Sequence, residues 1–213
     1  MLKERAETGR IYIMNIDHCN THSSFKDRVY MSNLCQEITL PTDPIQHIDG
    51  QGEIALCILS AINVGKLSYL EDLESLCDLA VRALDEIIDH QKYPVKAAEV
   101  STKARRSLGI GYIGLAHYLA KLKLNYNDKQ AWKEVDELTE NFQYYLLKAS
   151  NELAQEKGQC DYFHRTKYSD GILPIDTYKN EVDELSGRKL TMKWEQLRKD
   201  IKLHGLRHST LSA

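Results

Sequence analysis

The sequence lacks the pairings that would turn its cysteines into a framework. Five cysteines, an odd number, stand at irregular spacings as Cys19, Cys35, Cys57, Cys77 and Cys160, and no C-x-x-C occurs. That argues against a secreted disulfide scaffold and a structural zinc knot. Long apolar runs are missing too, since none reaches the roughly 18 residues that a membrane-spanning helix needs. The first residues, Met1-Leu2-Lys3-Glu4-Arg5-Ala6-Glu7, carry charges where a signal peptide has its apolar core. Charge of one sign is scarce. A formal net charge of −3 over 213 residues gives no electrostatic case for nucleic acid or an anionic membrane surface as a partner. Repeats and low-complexity tracts are absent. These absences lead to the expectation of a soluble protein of a reducing cytoplasm, with no membrane and no nucleic acid among its partners.

What is present is ordinary globular material: 42% hydrophobic and 28% charged residues, enough for one large domain or two small ones. A chain of this size buries roughly 70% of the surface its unfolded form exposes, so it needs no disulfide or metal staple. The alternation in residues 10–17 predicts a strand. His18-Cys19-Asn20-Thr21-His22, with Asp17, offers candidate metal ligands, but the spacing matches no zinc pattern, and a polar loop packed near a site is the preferred reading. Residues 23–31 read as loop. Pro41 and Pro44 stop a strand or hold a turn, and Asp49-Gly50-Gln51-Gly52 signals another turn. The apolar run 53–65 predicts a strand buried on both faces, with Cys57 inside it.

Apolar residues at spacings of three and four predict an amphipathic helix from Leu70 to Gln91, with Glu71, Asp72 and Glu74 matched to its dipole and Cys77 as packing. Gly109-Ile110-Gly111-Tyr112-Ile113-Gly114 has the form G-x-G-x-x-G. It is discounted as a dinucleotide fingerprint, because Lys103-Ala104-Arg105-Arg106-Ser107 before it is no buried strand; small residues on a helix over 103–122 is the preferred reading. Residues 129–157 predict a long helix stopped by Gly158, and 160–177 a turn-rich connection. A further helix runs from Trp194 to near Gly205, and Leu206 to Ala213 read as the start of a strand. Short strands alternating with long helices predict an α/β chain with parallel strands.

The densest chemistry lies in Ser32-Asn33-Leu34-Cys35-Gln36-Glu37-Ile38. On an extended backbone Asn33, Cys35 and Glu37 share one face. An amide, a thiol and a carboxylate aimed at one pocket suit a site. The same spacing suits an ordinary edge strand with a buried Cys, which spacing alone favours.

Five stretches together carry a resemblance. They are Thr8-Gly9-Arg10-Ile11-Tyr12-Ile13, Asp17-His18-Cys19-Asn20-Thr21-His22, Ser32-Asn33-Leu34-Cys35-Gln36-Glu37-Ile38, Gly52-Glu53-Ile54-Ala55-Leu56-Cys57 and His204-Gly205-Leu206-Arg207-His208-Ser209-Thr210. Together they resemble the large (alpha) catalytic subunit of class I, aerobic ribonucleotide reductases of bacterial or phage type, along the whole chain. The resemblance implies an α/β fold, part of a ten-stranded α/β barrel with the active-site Cys35 on an inserted finger loop, so that 1–213 would be a partial catalytic barrel domain. It implies that Cys35 becomes a thiyl radical and removes the ribose 3′ hydrogen. Glu37 would be the acid/base partner of the 3′ hydroxyl, and Asn33 would hydrogen-bond and orient the ribose hydroxyls. Fully extended, the two would stand roughly 13 Å apart, wide for one ribose, so the resemblance implies a bent loop tip entering the barrel. Cys57 would be one of two thiols that supply electrons and end as a disulfide, its partner lying outside this chain. Cys19, Cys77 and Cys160 match none of these positions.

The same resemblance implies that no cofactor is bound by this chain. The radical would come from a di-iron or dimetal tyrosyl small (beta) subunit, the electrons from thioredoxin or glutaredoxin, and the substrate would be a nucleoside diphosphate. The family's large subunit is several times longer. The expectation is therefore that the nucleotide-sensing domain, the phosphate-binding loop, the relay tyrosines and the tail cysteines lie on missing portions of the large subunit, and that the chain alone is inactive and, with unpaired strand edges, prone to associate. The alternative function is a non-catalytic fragment or assembly module. A cysteine hydrolase using Cys35 with a distant His lacks any local nucleophile signature.

Overall fold

The computed structural model describes residues 1–47, 52–178 and 181–212. Its centre is a βαβ unit. Strand β1 (Ile58–Asn63) pairs in parallel with β2 (Leu108–Ile113), with Ile58 opposite Leu108 and Asn63 opposite Ile113. A parallel pair needs a crossover, and helices α3 (Asp72–His90) and α4 (Lys96–Arg105) supply it. On the far side of β2 the last residues add a third line of pairing. The amides of Leu108 and Ile110 donate to the carbonyls of Thr210 and Leu211 at 3.0 and 2.8 Å, and Ile110 forms a parallel bridge with Ser212. The strand start expected at Leu206–Ala213 is thus present as a short paired segment, Ala213 itself lying outside the described residues.

Helices α6 (Lys129–Lys157) and α8 (Trp194–His204) complete the body, with α5 (Leu115–Lys121) after β2 and α7 (Glu181–Ser186) before α8. The core is apolar and continuous. From α3 come Leu73, Cys77, Val81, Leu84 and Ile88, from α6 Leu138, Phe142, Leu146, Leu147 and Leu153, and from α8 Trp194, Leu197 and Ile201, all packed against Val64, Leu108 and Ile110. Each such side chain contributes roughly 1.5–3 kcal/mol by leaving water. The three long helices and the Gly158 and Gly205 stops stand where the periodicity puts them.

Four expectations fail, the last being the polar loop over residues 17–22, described with the candidate site. The strand over 10–17 is absent: Arg10–Asn15 forms no ladder, and α2 (Ile16–His22) takes the rest, after a first short helix α1 (Leu2–Thr8). Alternation without a neighbouring strand makes no sheet. The run 53–65 is not buried on both faces. Only Ile58–Asn63 is strand, and it alternates: Ile62 faces the core, while Leu59 is 58% exposed. Third, Gly109–Ile113 is not helical. Gly109 and Gly111 sit inside β2, and only Gly114 serves the turn, at φ 81 as the cap of α5. A Cβ there would meet Asn63 Oδ1 at 2.4 Å, so the two strand ends close on glycine. Because the first two glycines lie in the strand and not in the turn, the dinucleotide fingerprint stays discounted.

The fold is mixed α/β as expected, with two strands among the described residues. The turn at Asp49-Gly50-Gln51-Gly52 lies, except for Gly52, outside them. Helix α4 was not foreseen, and its buried face explains why: Ala97, Ala98, Ser101, Thr102, Ala104 and Arg105 form no hydrophobic stripe.

Residues 1–47 and 52–57 form an arm that wraps this body. Few of its apolar side chains are buried, among them Phe25, Val29 and Leu40. Polar ties hold it instead. Phe25 bridges Thr166, the Lys26 amide donates to Arg165 O at 2.9 Å, and the Lys167 amide donates to Ser24 O at 2.7 Å. Lys167 Nζ caps α2 by donating to Asn20 O and Thr21 O at 3.0 and 2.8 Å. Asn20 in turn closes the arm on itself, exchanging two hydrogen bonds with the backbone of Val29 at 2.8 and 2.9 Å.

Candidate active site

The stretch 33–38 is a closed turn and not an extended edge strand. The Asn33 amide donates to Ile38 O at 3.2 Å, and Gln36 N donates to Asn33 O at 3.2 Å. Gln36 turns the chain at φ 64 in the left-handed region, a costly conformation for a residue with a Cβ. The Asn33 side chain locks the turn with both ends of its amide. Oδ1 accepts from Ile38 N at 3.1 Å, and Nδ2 donates to Glu37 Oε1 at 2.5 Å. The separation that an extended strand would impose is thereby removed. Cys35 is exposed at the tip of this turn, beside Leu34, which is 84% exposed. The edge strand with a buried Cys is therefore set aside.

Cys57 enters from the other limb, directly before β1, and is half-buried. Burial, and then the nearby Glu37 carboxylate, push its thiol up to about 12. At neutral pH it is a protonated thiol, suited to giving up hydrogen atoms and unsuited to nucleophilic attack. Asn33 and Cys57 line one cavity of about 290 Å³, with Met31, Ser32 and Leu59 among its other walls. Glu37 lines a second, of about 230 Å³, with His22, Gln143, Lys167, Thr210 and Ser212. The turn thus stands between two clefts, and the carboxylate of one acts on the thiol of the other. Asn33, Glu37 and Cys57 are brought together, while Cys35 lines neither cleft. Cys77 and Cys160 are buried in the body as packing.

The residues from Asp17 to His22 form helix α2 and not a loop, and His22 reaches the Glu37 cleft. Among the described residues no group of three or more His, Cys, Asp or Glu side chains is placed to hold a metal ion. None of the described helices is long and apolar enough to cross a membrane.

Two charge clusters escaped the reading of the sequence. One centres on Asp85, fully buried on the apolar face of α3. Arg106 Nε donates to it at 2.6 Å, Arg207 Nε at 3.2 Å and His208 Nε2 at 3.2 Å. Burial pushes this carboxyl up, but the His208 hydrogen bond and the Arg106 and Arg207 charges outweigh it and hold it well below the usual carboxylate range. His208 is also fully buried, and burial takes it down to about 4, so it is neutral. Its Nε2 carries the proton for Asp85, and Nδ1 accepts from Ser150 Oγ at 2.9 Å. An acid falling at the helical spacing of buried residues, four after Val81, was the available signal. The second cluster joins Arg105 and Arg165 to Asp27, Asp43 and Glu53, and local sequence gave no sign of it.

The barrel-domain model of ribonucleotide reductase matches residues 1–213. The chain belongs to the ribonucleotide reductase family. It is 58% identical to the ribonucleoside-diphosphate reductase subunit alpha of Haemophilus influenzae, 55% to subunit alpha of reductase 1 of Escherichia coli and 41% to the subunit alpha of Enterobacteria phage T4, in each case over 100% of this chain. The chain spans 28–29% of the length of these curated relatives.

Proposed function

We propose that the chain carries the ribose-reducing residues of a ribonucleoside-diphosphate reductase large subunit and works together with the remaining portions of such a subunit in the cytoplasm. The observation that carries this reading is the Asn33–Glu37 hydrogen bond at 2.5 Å in a turn whose carboxylate also raises the Cys57 thiol. Cys35, on the exposed tip, is the residue that becomes a thiyl radical and takes the 3′ hydrogen of a nucleoside diphosphate once the finger loop lies inside a ten-stranded barrel. Glu37 takes the 3′ hydroxyl proton as that bond breaks, a transfer that needs the carboxylate within hydrogen-bond reach. Asn33 orients the ribose hydroxyls and fixes Glu37. Replacing a ribose hydroxyl by hydrogen consumes two electrons and two protons and releases water. Cys57 and a second thiol outside this chain supply both and become a disulfide, for which a protonated Cys57 is the competent form.

The radical itself is supplied by a dimetal tyrosyl small subunit, while this chain provides position and shelter. Thioredoxin or glutaredoxin returns the disulfide to thiols. The exposed Leu59 face of β1 supports the reading that further chain covers the sheet. The test is reconstitution with the complementary portions of a large subunit and a radical-bearing small subunit, followed by measurement of deoxynucleotide formation. Activity is expected with Cys35 intact and none with Cys35→Ser. Turnover that survives Cys35→Ser would overturn the assignment, and the chain alone is expected to give no turnover.

A further inference from the structure

We propose that the Arg105–Arg165 cluster is a positioning device that sets the spacing between the Asn33–Glu37 turn and Cys57. Its three carboxylates are distributed one to each limb that enters or leaves the site. Asp27 lies six residues before Asn33, Asp43 six residues after Glu37, and Glu53 four residues before Cys57. The two arginines come from the body. Arg105 is the last residue of α4 and 1% exposed, and Arg165 follows α6 in the turn-rich connection.

The geometry ties every limb. Arg105 grips Glu53 with both arms of its fork, Nε to Oε2 at 2.6 Å and Nη2 to Oε1 at 2.9 Å, and sends Nη1 to Asp27 at 3.0 Å. Arg165 repeats the connection from outside: Nε to Asp27 at 2.8 Å, Nη1 to Glu53 at 3.2 Å and Nη2 to Asp43 at 3.7 Å. Asp43 and Glu53 also pair through their backbones, Glu53 N donating to Asp43 O at 3.0 Å. The Tyr162 ring lies under both guanidinium groups, 5.1 Å from Arg105 and 4.5 Å from Arg165. The planar fork matters, because a bidentate grip fixes direction as well as distance.

Arg105 and Glu53 are the buried pair of the cluster, while Asp43 stands at its exposed rim. Burial pushes the Glu53 carboxyl up, but Arg105 outweighs it and holds it low; Asp43 is raised by burial and by Glu53 beside it. Nothing in this cluster touches Asn33, Glu37 or Cys57. It acts on them through four to six residues of backbone, which makes Arg105 a positioning residue and not a catalytic one.

The proposal rests on reading Cys57 as a reducing thiol, but its test does not. The full chain carries its own reporters: Cys57 lies in the site, whereas Cys77 and Cys160 are buried in the body. Alkylation of each cysteine by iodoacetamide, followed by peptide mass spectrometry, is compared in the wild type, Arg105→Met, Arg105→Lys and Asp27→Asn. Asp27→Asn removes one limb's tie and covers the case in which Arg105→Met fails to fold. Labelling of Cys57 is expected to rise roughly tenfold or more in Arg105→Met, less in Arg105→Lys, with Cys77 and Cys160 unchanged. Asp27→Asn is expected to raise Cys57 alone by a smaller factor. If Cys57 is unchanged in both Arg105→Met and Asp27→Asn, or if all three cysteines rise together in Asp27→Asn, the positioning role is wrong. In the reconstituted reductase the same Arg105→Lys change is expected to lower kcat and leave KM in place. A wild-type kcat would also overturn the proposal, whereas inactivity of the reconstituted wild type would strike the functional reading and leave the labelling result standing.

Discussion

The arm and the body are held in different ways. The body is an apolar core of three long helices on a parallel sheet, with its charges sunk around Asp85. The arm has almost no core, and polar ties fasten it: the Arg105 and Arg165 fork bonds, Lys167 on α2 and the Asn20–Val29 clasp. Apolar burial is non-directional and adds stability over area. Fork bonds and amide clasps add little net stability but fix angles and distances. The candidate site residues Asn33, Cys35 and Glu37 lie in the arm, and Cys57 lies where the arm meets β1. A site built this way can be placed accurately on a rigid support and still yield locally, as binding and catalytic segments must.

The comparison breaks most visibly at Asp85. Asp85→Ala removes the buried acceptor shared by Arg106, Arg207 and His208, and the expected loss is about 3–5 kcal/mol of global stability, read by urea unfolding. A loss under about 1 kcal/mol would mean that the body does not depend on this acid. Next comes Leu146→Ala in the core of α6, expected to cost roughly 2–5 kcal/mol through the cavity it leaves. An arm substitution of similar burial, Val29→Ala, is expected to shift the global transition by less, and an equal shift would erase the distinction.

A pH series sharpens the same contrast. His208 binds its proton near 4 in the fold and near 6.5 when unfolded. As pH falls from 6.5 towards 4 the unfolded chain takes up a proton that the folded chain refuses, so stability is full above 6.5 and declines by up to roughly 3 kcal/mol across that window. His208→Gln is expected to flatten the decline between pH 6.5 and 5, and an unaltered slope would exclude His208 as its source. The smallest global effect belongs to the turn. Asn33→Ala is expected to change global stability by about 1 kcal/mol or less, while the Ile38 amide, which donates to Asn33 Oδ1, loses its protection from hydrogen exchange. Full protection in the variant would show that the backbone holds the turn unaided.

The legibility of the sequence follows the same division. Helices α3, α6 and α8 were readable because their apolar residues recur at helical spacing and meet one core. Strand β2 was not, since Gly109, Gly111 and Gly114 among isoleucines and a tyrosine fit a short helix as well as a strand. Its pairing partners, β1 and Leu206–Ser212, lie far along the chain. Helix α4 hides because alanines, Ser101, Thr102 and Arg105 make its buried face. In the arm, the residue types at 33, 35 and 37 were legible and their geometry was not: the turn needs Gln36 at positive φ, which a glutamine does not announce. The Arg105 knot joins residues 52 and 78 positions apart, and no local pattern carries such pairs.

The proposed chemistry requires Cys35 and Cys57 to act in one reaction. A single turnover of the reconstituted reductase, run without external dithiol, measures this most directly. The expected result is about one deoxynucleotide per site, with Cys57 recovered in a disulfide, and neither product nor oxidised Cys57 when Cys35 is replaced by serine. Deoxynucleotide formed while Cys57 remains a free thiol, or formed with Cys35→Ser, would contradict it.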